Sequence, residues 1–130
     1  MKNIITILLI LIIPITVYFF MSRNSETISA KANDKNNPSI IIFTSTMCMD
    51  CKKMKAVIKE VEPTYRDKIN FISINALDKK RKVQDYIRKY NVTLVPTLIF
   101  ADENGNERSK VEGYIPKEKL IIEIEDAING

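Results

Sequence analysis

The sequence contains no histidine, and it has only two cysteines among its 130 residues. Without imidazole groups the chain cannot use histidine as a general base, and most transition-metal sites are excluded. The two cysteines, Cys48 and Cys51, are three positions apart. One chain therefore carries neither a framework of several disulfides nor a zinc site with four cysteine ligands.

The sequence also has little net charge, with a formal value of +4. The basic residues are interpreted as scattered along helical faces, where they form a solvated surface with a weak attraction to anionic lipid headgroups. No nucleic-acid-binding signature, internal repeat or low-complexity block is found in the sequence. We therefore expect no nucleic-acid partner, and nothing in the sequence calls for a cofactor or a bound metal.

Residues 4–21 form an almost unbroken apolar run without a charged side chain. As a helix the run would be about 27 Å long, close to the thickness of the hydrocarbon core of a bilayer. Lys2 precedes the run and aromatic residues end it, which favours a cytoplasmic N-terminus. We expect a single-pass membrane anchor within residues 1–21 and an extracytoplasmic C-terminal domain. The alternative is a signal peptide cleaved after Ala30 or Ala32, which would leave a secreted protein.

Residues 22–38 are polar, rich in Asn, Ser and Lys, and show no apolar periodicity. This composition predicts a flexible linker between the apolar run and the rest of the chain. Residues 39–130 are predicted to form one small globular domain, which we expect to act as a monomer.

The pattern after the linker predicts seven elements in the order β-α-β-α-β-β-α. Short apolar runs predict the first three strands. The Asn104-Gly105 pair predicts a hairpin turn, and the segment that follows this turn is the fourth strand. A helical crossover makes the first two strands parallel, so we expect an α/β fold with a mixed four-stranded sheet and helices on both faces. The predicted strands are residues 39–43, 69–74, 97–101 and 107–112.

Three amphipathic patterns predict the helices that separate these strands. The first pattern follows Cys51 and is expected to end at or just before Pro63. The second has apolar residues at i, i+3, i+4 and i+7 from Val83, with Asn91 as its C-terminal stop. The third is expected to have Pro116 as its first helical residue.

The cysteine pair lies at the junction between the first strand and the first helix. Residues three apart on a helical turn have Cα atoms roughly 5–6 Å apart, which is within disulfide range. Cys48 is predicted at the helix N-terminus, where backbone N–H groups and the helix dipole favour a thiolate, the attacking species. Cys51, one turn inward, is then the resolving thiol. The hydroxyl groups of Thr44, Ser45 and Thr46 are expected to cap the helix.

Other interpretations of the pair remain open at this point. The cysteines could be two ordinary buried residues, an inert disulfide, or half of a metal site shared between chains. A second candidate function is a copper(I) chaperone that uses Met47, Cys48, Met49 and Cys51, because soft sulfur ligands suit Cu(I). The position of the pair, between an apolar strand and an amphipathic helix in an exported domain, favours redox chemistry.

Five segments match the pattern of one known family: residues 40–43, 48–51, 91–97, 104–105 and 111–114. On these segments the chain resembles the thioredoxin superfamily over residues 39–128. The resemblance implies a thioredoxin-like fold and a protein-disulfide oxidoreductase. It also implies that Pro96 is cis and faces the disulfide, that Val95 pairs with the substrate backbone, and that Gly113 lets a substrate strand approach closely.

Three departures from the family's usual pattern bear on the chemistry. Met47 stands where a Trp is usual, and Met49-Asp50 replaces Gly-Pro between the cysteines. Ile42 stands where a buried acid usually assists the resolving thiol, so a proton acceptor is missing. Asp50 adds negative charge near the attacking sulfur and is expected to raise the pKa of the Cys48 thiol. With no His between the cysteines, we expect a reductant rather than a strong oxidant.

The resemblance also suggests partners. Disulfide-containing exported proteins are the expected substrates. Similarity to membrane-anchored thioredoxin-like reductants implies that a transmembrane thiol carrier could return electrons to the pair.

Overall fold

The computed structural model of the chain describes residues 2–22 and 36–130. Residues 2–22 form helix α1 (Lys2–Ser22). Among the described residues, no helix is both long and apolar enough to cross a membrane. The anchor predicted within residues 1–21 stays a prediction. Most of the predicted linker, residues 22–38, and both predicted cleavage positions lie outside the described residues.

The remaining described chain forms seven elements in the predicted order. Each short apolar run is a strand, and each pattern with apolar residues three or four apart is a helix, as periodicity predicts. The strands are β1 (Ser39–Thr44), β2 (Asn70–Asn75), β3 (Thr97–Ala101) and β4 (Glu107–Glu112). The helices are α2 (Met49–Tyr65), α3 (Arg81–Lys89) and α4 (Lys117–Asn129).

The four strands form one sheet in the order β2-β1-β3-β4. β1 and β2 are parallel, with Thr44 opposite Asn75. β3 is antiparallel to both β1 and β4, and Thr97 at its start lies opposite Glu112 at the end of β4. We call the end of the sheet where these four residues lie the Cys end, and the opposite end, with the loop 102–106, the turn end.

The sheet separates two apolar clusters, so both of its faces are covered. Ile42 of β1 belongs to the cluster that includes Met54 of α2 and Leu120 of α4. Its neighbour Phe43 belongs to the other cluster, with Val83 of α3. Successive side chains of a strand point to opposite faces, which explains why residues 40–43 in the middle of β1 are all apolar. The predicted mixed sheet with helices on both faces is confirmed.

Two prolines occupy helix positions other than those predicted. Pro63 lies inside α2, which continues to Tyr65 and is closed by the Arg66 N–H on Glu62 O at 2.9 Å. The helix tolerates this proline because only one backbone hydrogen bond is lost within its last turn. Pro116 is the N-cap of α4 and not its first helical residue. An N-cap contributes its carbonyl group and needs no N–H, so proline fits there.

Hydrogen bonds satisfy the polar groups of the loop at the turn end. The Asp102 carboxylate accepts the Asn104 N–H at 2.9 Å and the Asn106 N–H at 2.8 Å. These bonds, the one from Asn106 above all, hold the pKa of the Asp102 carboxyl group below its usual value. Gly105 has φ +77°, and its carbonyl oxygen accepts the Tyr90 hydroxyl at 2.9 Å. The predicted hairpin turn is confirmed.

Candidate functional site

The two cysteines lie where β1 leads into α2. Cys48 is the N-cap of α2, and Cys51 lies in its first turn. Their Cα atoms are 5.2 Å apart, and their sulfur atoms form a disulfide. This separation agrees with the expected value for two residues three apart on a helical turn. The pair can therefore open and close with little movement of the backbone.

The two sulfur atoms have different surroundings. Cys51 is fully buried, whereas Cys48 is half-buried. The Cys51 N–H donates a hydrogen bond to the Cys48 Sγ at 3.1 Å. The same Sγ atom lies 3.7 Å from the carbonyl oxygen of Val95. Another molecule can reach Cys48 but not Cys51, which suits an outer attacking thiol and an inner resolving thiol.

The N-cap of α2 is a sulfur atom and not a hydroxyl group as predicted. An N-cap side chain bonds to an N–H two or three residues later, and the Cys48 Sγ does this to Cys51. The predicted caps lie at least two residues too early in the chain, because α2 begins at Met49. Of these, Ser45 uses its Oγ to accept the Met47 N–H at 3.3 Å, within the loop.

A second segment enters the site at the start of β3. The peptide bond between Val95 and Pro96 is cis, as the resemblance implies. The Pro96 carbonyl oxygen accepts the Gly113 N–H at 2.8 Å. Gly113 has φ +88°, and no atom lies within 4 Å of the position that a Cβ would take. The structure therefore brings Val95, Pro96 and Gly113 to the same end of the sheet as Cys48.

The three other predicted site residues surround the pair on its solvent side. Met47 is 88% exposed and Met49 is 69% exposed. The Asp50 side chain is 58% exposed, and its carboxylate lies 3.2 Å from the Lys53 Nζ. Water and Lys53 both weaken the field that Asp50 exerts on Cys48. Asp50 thus influences the pair less than the sequence suggests.

The copper(I) interpretation gains no support. Within the described ranges, no group of three or more Cys, Asp or Glu side chains could hold a metal ion. The methionines on either side of Cys48 extend into solvent, where they offer apolar surface to another molecule.

Comparison with known proteins decides the family. The sequence profile of the thioredoxin-like domain matches residues 23–128. The chain belongs to the thioredoxin-like family. Its fold is thioredoxin-like, and it matches the crystal structure of thioredoxin O2 from Arabidopsis thaliana in the oxidised state. The two chains are 27% identical, with a TM-score of 0.60 over 76% of this chain and 82% of that one.

Two relatives share this thioredoxin-like region. The chloroplast thioredoxin-like protein HCF164 of Arabidopsis thaliana is 27% identical over 107 residues, which are 79% of this chain and 40% of the relative. The thiol:disulfide interchange protein DsbD of Campylobacter jejuni is 26% identical over 105 residues, which are 79% of this chain and 18% of the relative. The chain thus spans less than half the length of either relative.

The thioredoxin-like core of this chain has hydrocarbon where the family usually has a buried acid. Ile42 is 2% exposed and pairs across the sheet with Leu98. Its side chain packs in the cluster that includes Met54 of α2, the helix that carries Cys51. No carboxylate at this position can accept the proton of the resolving thiol.

Two features at the Cys end were missed from the sequence. Leu77, Leu94 and Tyr114 follow β2, precede β3 and follow β4, and all three are exposed. Isolated apolar residues in loops carry no periodic signal, so only the sheet register reveals that they share one end. The second feature is the run of four cations at residues 79–82. The run is visible in the sequence, but a run of cations by itself indicates no more than a solvated face.

Proposed function

We propose that the protein is a thiol–disulfide oxidoreductase that reduces disulfides in other proteins. The observation that carries this proposal is the pairing of a half-buried Cys48 with a fully buried Cys51 at the N-terminus of α2. Unpaired N–H groups and the helix dipole stabilise a thiolate at such a position. Similarity to a thiol:disulfide interchange protein supports the same chemistry.

The reaction moves two electrons from the protein to its substrate. The Cys48 thiolate attacks one sulfur of the substrate disulfide, forming a mixed disulfide and releasing the other sulfur as a thiolate. Cys51 then loses its proton and attacks the Cys48 Sγ. This second attack releases the remaining substrate sulfur and closes the Cys48–Cys51 disulfide. Each released thiolate takes up one proton, so the substrate ends as a dithiol.

The groups around the pair have separate parts in these steps. The Cys51 N–H, 3.1 Å from the Cys48 Sγ, stabilises negative charge on that sulfur. The open space at Gly113 admits a substrate backbone. With Ile42 in place of an acid, water or the departing substrate thiolate takes the Cys51 proton. The exposed side chains of Met47 and Met49 offer adaptable apolar contacts to the substrate.

We propose that the protein donates electrons and does not accept them from its substrates. No histidine stands between the cysteines, and the exposed Asp50 carboxylate, although paired with Lys53, weakly disfavours the Cys48 thiolate. A less stable thiolate makes the reduced form a better electron donor. The oxidised pair must then be reduced again, and a thiol carrier in the membrane is the proposed source of electrons.

We propose, from the sequence, that residues 4–21 hold the domain at the outer face of a membrane. The support is the uncharged apolar run and the preceding Lys2. In this arrangement the full-length protein stays with membranes through alkaline extraction. An impermeant thiol reagent added from outside then labels the reduced pair. Recovery of a soluble form beginning near residue 31 or 33 would replace the anchor with a cleaved signal peptide.

The oxidoreductase proposal is tested by reduction of insulin with dithiothreitol as the electron source. Catalytic amounts of the full-length protein in a non-ionic detergent should accelerate precipitation of the insulin B chain. The matched control is the Cys48→Ser/Cys51→Ser variant, which should behave like detergent alone. Equal rates with parent and control would overturn the proposal.

The direction of electron flow is tested by equilibrating the pair with glutathione buffers and measuring its reduction potential. A donor is expected below about −200 mV, on the side of thioredoxin and away from the strong oxidant DsbA. A potential near about −120 mV would contradict the assignment as a donor and leave the oxidoreductase activity intact.

A further inference from the structure

The end of the loop between β2 and α3, together with the start of α3, carries an unbalanced positive charge. Residues 79–82 are Lys-Lys-Arg-Lys, called here the cationic segment, and all four are exposed. Asp78 is already bound to Lys80, with the Nζ at 3.4 Å and the backbone N–H at 3.0 Å. Within the described ranges, the side chains of Lys79, Arg81 and Lys82 have no ion pair. Three cations therefore lack a negative partner in this part of the chain.

This arrangement does not help the fold. Helix α3 begins at Arg81, and its first turn contains no acidic residue. The N-cap, Lys80, makes no capping hydrogen bond with its side chain. A helix N-terminus carries partial positive charge, so cations there are destabilising. Cations that cost stability and, like Lys79, Arg81 and Lys82, form no ion pair within the described ranges indicate a role toward another molecule.

The cationic segment lies at the Cys end of the sheet. The Ala76 N–H donates to the Thr44 carbonyl oxygen at 2.8 Å, and a turn then closes from Asn75 to Asp78 at 3.0 Å. A second turn runs from Ser45 to Cys48, and its Cys48 N–H lies 3.4 Å from the Ser45 carbonyl oxygen. Turn and strand spacings then keep the Cα atom of Asp78 within about 23 Å of that of Cys48. This distance equals about seven residues of extended chain.

The Cys end also carries an exposed apolar side chain and further lysines. Leu77, directly before Asp78, is 57% exposed. A cleft of about 180 Å³ next to the cysteine loop is lined by Lys52 and Lys55 together with Ser45 and Thr46. None of the residues that line the cleft is acidic. The Cys end thus carries further lysine side chains, at Lys52 and Lys55, together with exposed hydrocarbon at Leu77.

We propose that the cationic segment is a docking surface for acidic protein segments, and that it selects substrates with Asp or Glu within about seven residues of the disulfide. The inference rests on the proposed function, since it names the substrate class of the same cysteine pair. Charge complementarity identifies an acidic partner, and Leu77 adds an apolar contact. The position of the segment at the same end of the sheet as Cys48 favours a substrate over the competing occupant, an anionic lipid surface.

The test uses three synthetic peptides closed by the same intramolecular disulfide. They differ only in four flanking residues, which are Glu, Gln or Lys. With full-length protein in a non-ionic detergent, kcat/KM for the Glu peptide should exceed that for the Gln peptide about tenfold at low ionic strength. The Lys peptide should be the slowest. At 1 M salt the Debye length is about 3 Å, so the three values should converge.

Charge variants show whether the cationic segment causes this preference. Lys79→Gln/Arg81→Gln/Lys82→Gln should bring the ratio of Glu to Gln peptide close to one. The matched control removes three other exposed lysines, as Lys59→Gln/Lys68→Gln/Lys119→Gln, and should keep the parent ratio. Both variants should reduce a small neutral disulfide, hydroxyethyl disulfide, at the parent rate.

Each contrary result has one meaning. The proposed docking surface would be overturned if the ratio of kcat/KM between Glu and Gln peptides were the same in the parent and the segment variant. It would also be overturned if the control variant lost this preference as fully as the segment variant. Loss of binding to anionic vesicles in the segment variant, with its peptide ratio unchanged, would assign the segment to lipid instead. A parent that reduces neither peptides nor hydroxyethyl disulfide would refute the proposed function. Docking would then be decided by calorimetry with Cys48→Ser/Cys51→Ser protein, which must bind the Glu peptide more tightly than the Gln peptide.

Discussion

The two ends of the sheet differ in whether their exposed groups are bound within the chain. At the turn end, Asp102 binds the N–H groups of its own loop, and the Gly105 carbonyl oxygen is bound by Tyr90. At the Cys end, the Met47 side chain is in solvent and the space in front of Gly113 is open. At the turn end, polar groups form hydrogen bonds within the chain. At the Cys end, the Met47 side chain and the space in front of Gly113 are available to another molecule. Changes at the turn end should therefore affect stability, and changes at the Cys end should affect activity.

The largest effect is expected from the cysteines themselves. Cys48→Ala should abolish exchange, because the fully buried Cys51 cannot reach a substrate disulfide. Cys51→Ala should keep the first attack and lose the second, so mixed disulfides through Cys48 should accumulate. Non-reducing electrophoresis after incubation with a disulfide-bearing protein measures the adducts. Equal trapping by both variants would break the division between an outer and an inner thiol.

Two glycines, one at each end, give the sharpest comparison. Gly105 (φ +77°) and Gly113 (φ +88°) both adopt a conformation that alanine strains to reach. Each change to Ala should cost about 1–2 kcal/mol in the free energy of unfolding, measured with urea. Only Gly113→Ala should also slow insulin reduction, by about tenfold or about 1.4 kcal/mol of transition-state stabilisation. A new Cβ there would occupy space that a substrate backbone needs.

Gly105→Ala is the control for that experiment. Its new Cβ would lie 3.3 Å from the Lys89 Nζ, the end of a flexible side chain that can move aside. Insulin reduction by Gly105→Ala, measured well below its unfolding temperature, should match the parent. If both variants lose activity equally, the Cys end has no special role for Gly113.

A smaller and pH-dependent effect is expected at the turn end. The pKa of the folded Asp102 carboxyl group is lowered by hydrogen bonds, first that of the Asn106 N–H. The stability it contributes is therefore present above its unfolded pKa and is lost as the pH falls through the folded pKa. Parent and Asp102→Ala should differ in urea midpoint at about pH 7 and converge toward about pH 3. A difference that stays constant over this range would show that the carboxylate charge is irrelevant.

The smallest effect is expected from the charges next to Cys48. Asp50 and Lys53 form an exposed ion pair, so each change should move the reduction potential by roughly 5–20 mV. Asp50→Asn should lower the pKa of the Cys48 thiol and raise the potential, while Lys53→Gln should do the opposite. Shifts of the same sign in the two variants would mean that the effect is not electrostatic.

Local patterns account for what could be predicted from the sequence. The apolar run of β1 and the repeat that begins at Val83 each depend on residues close in the chain, so their elements were predicted correctly. Asn91 was predicted to stop α3, and it has φ +46°, a conformation that Asn tolerates better than most residues. The junction of strand and helix likewise located Cys48 at the N-terminus of α2, although hydroxyl groups and not its sulfur were predicted as the cap.

Tertiary information was needed for the rest of the site. Whether Pro63 ends a helix depends on how much packing holds the last turn of α2, which no local signal reports. The exposure of Asp50 and its pairing with Lys53 depend on which way the first turn faces. That the cationic segment lies at the same end of the sheet as Cys48 follows only from the parallel register of β1 and β2.

The alkyl side chain of Ile42 affects how the reduction potential of the cysteine pair depends on pH. Reduction of the disulfide takes up two electrons. Because Ile42 places hydrocarbon at this core position, the two thiols are the groups that take up protons with these electrons. While both thiols are protonated in the reduced form, the potential should therefore fall by about 59 mV for each pH unit. A plot of potential against pH should stay straight through the mildly acidic range. Its first bend should come only where Cys48 begins to ionise.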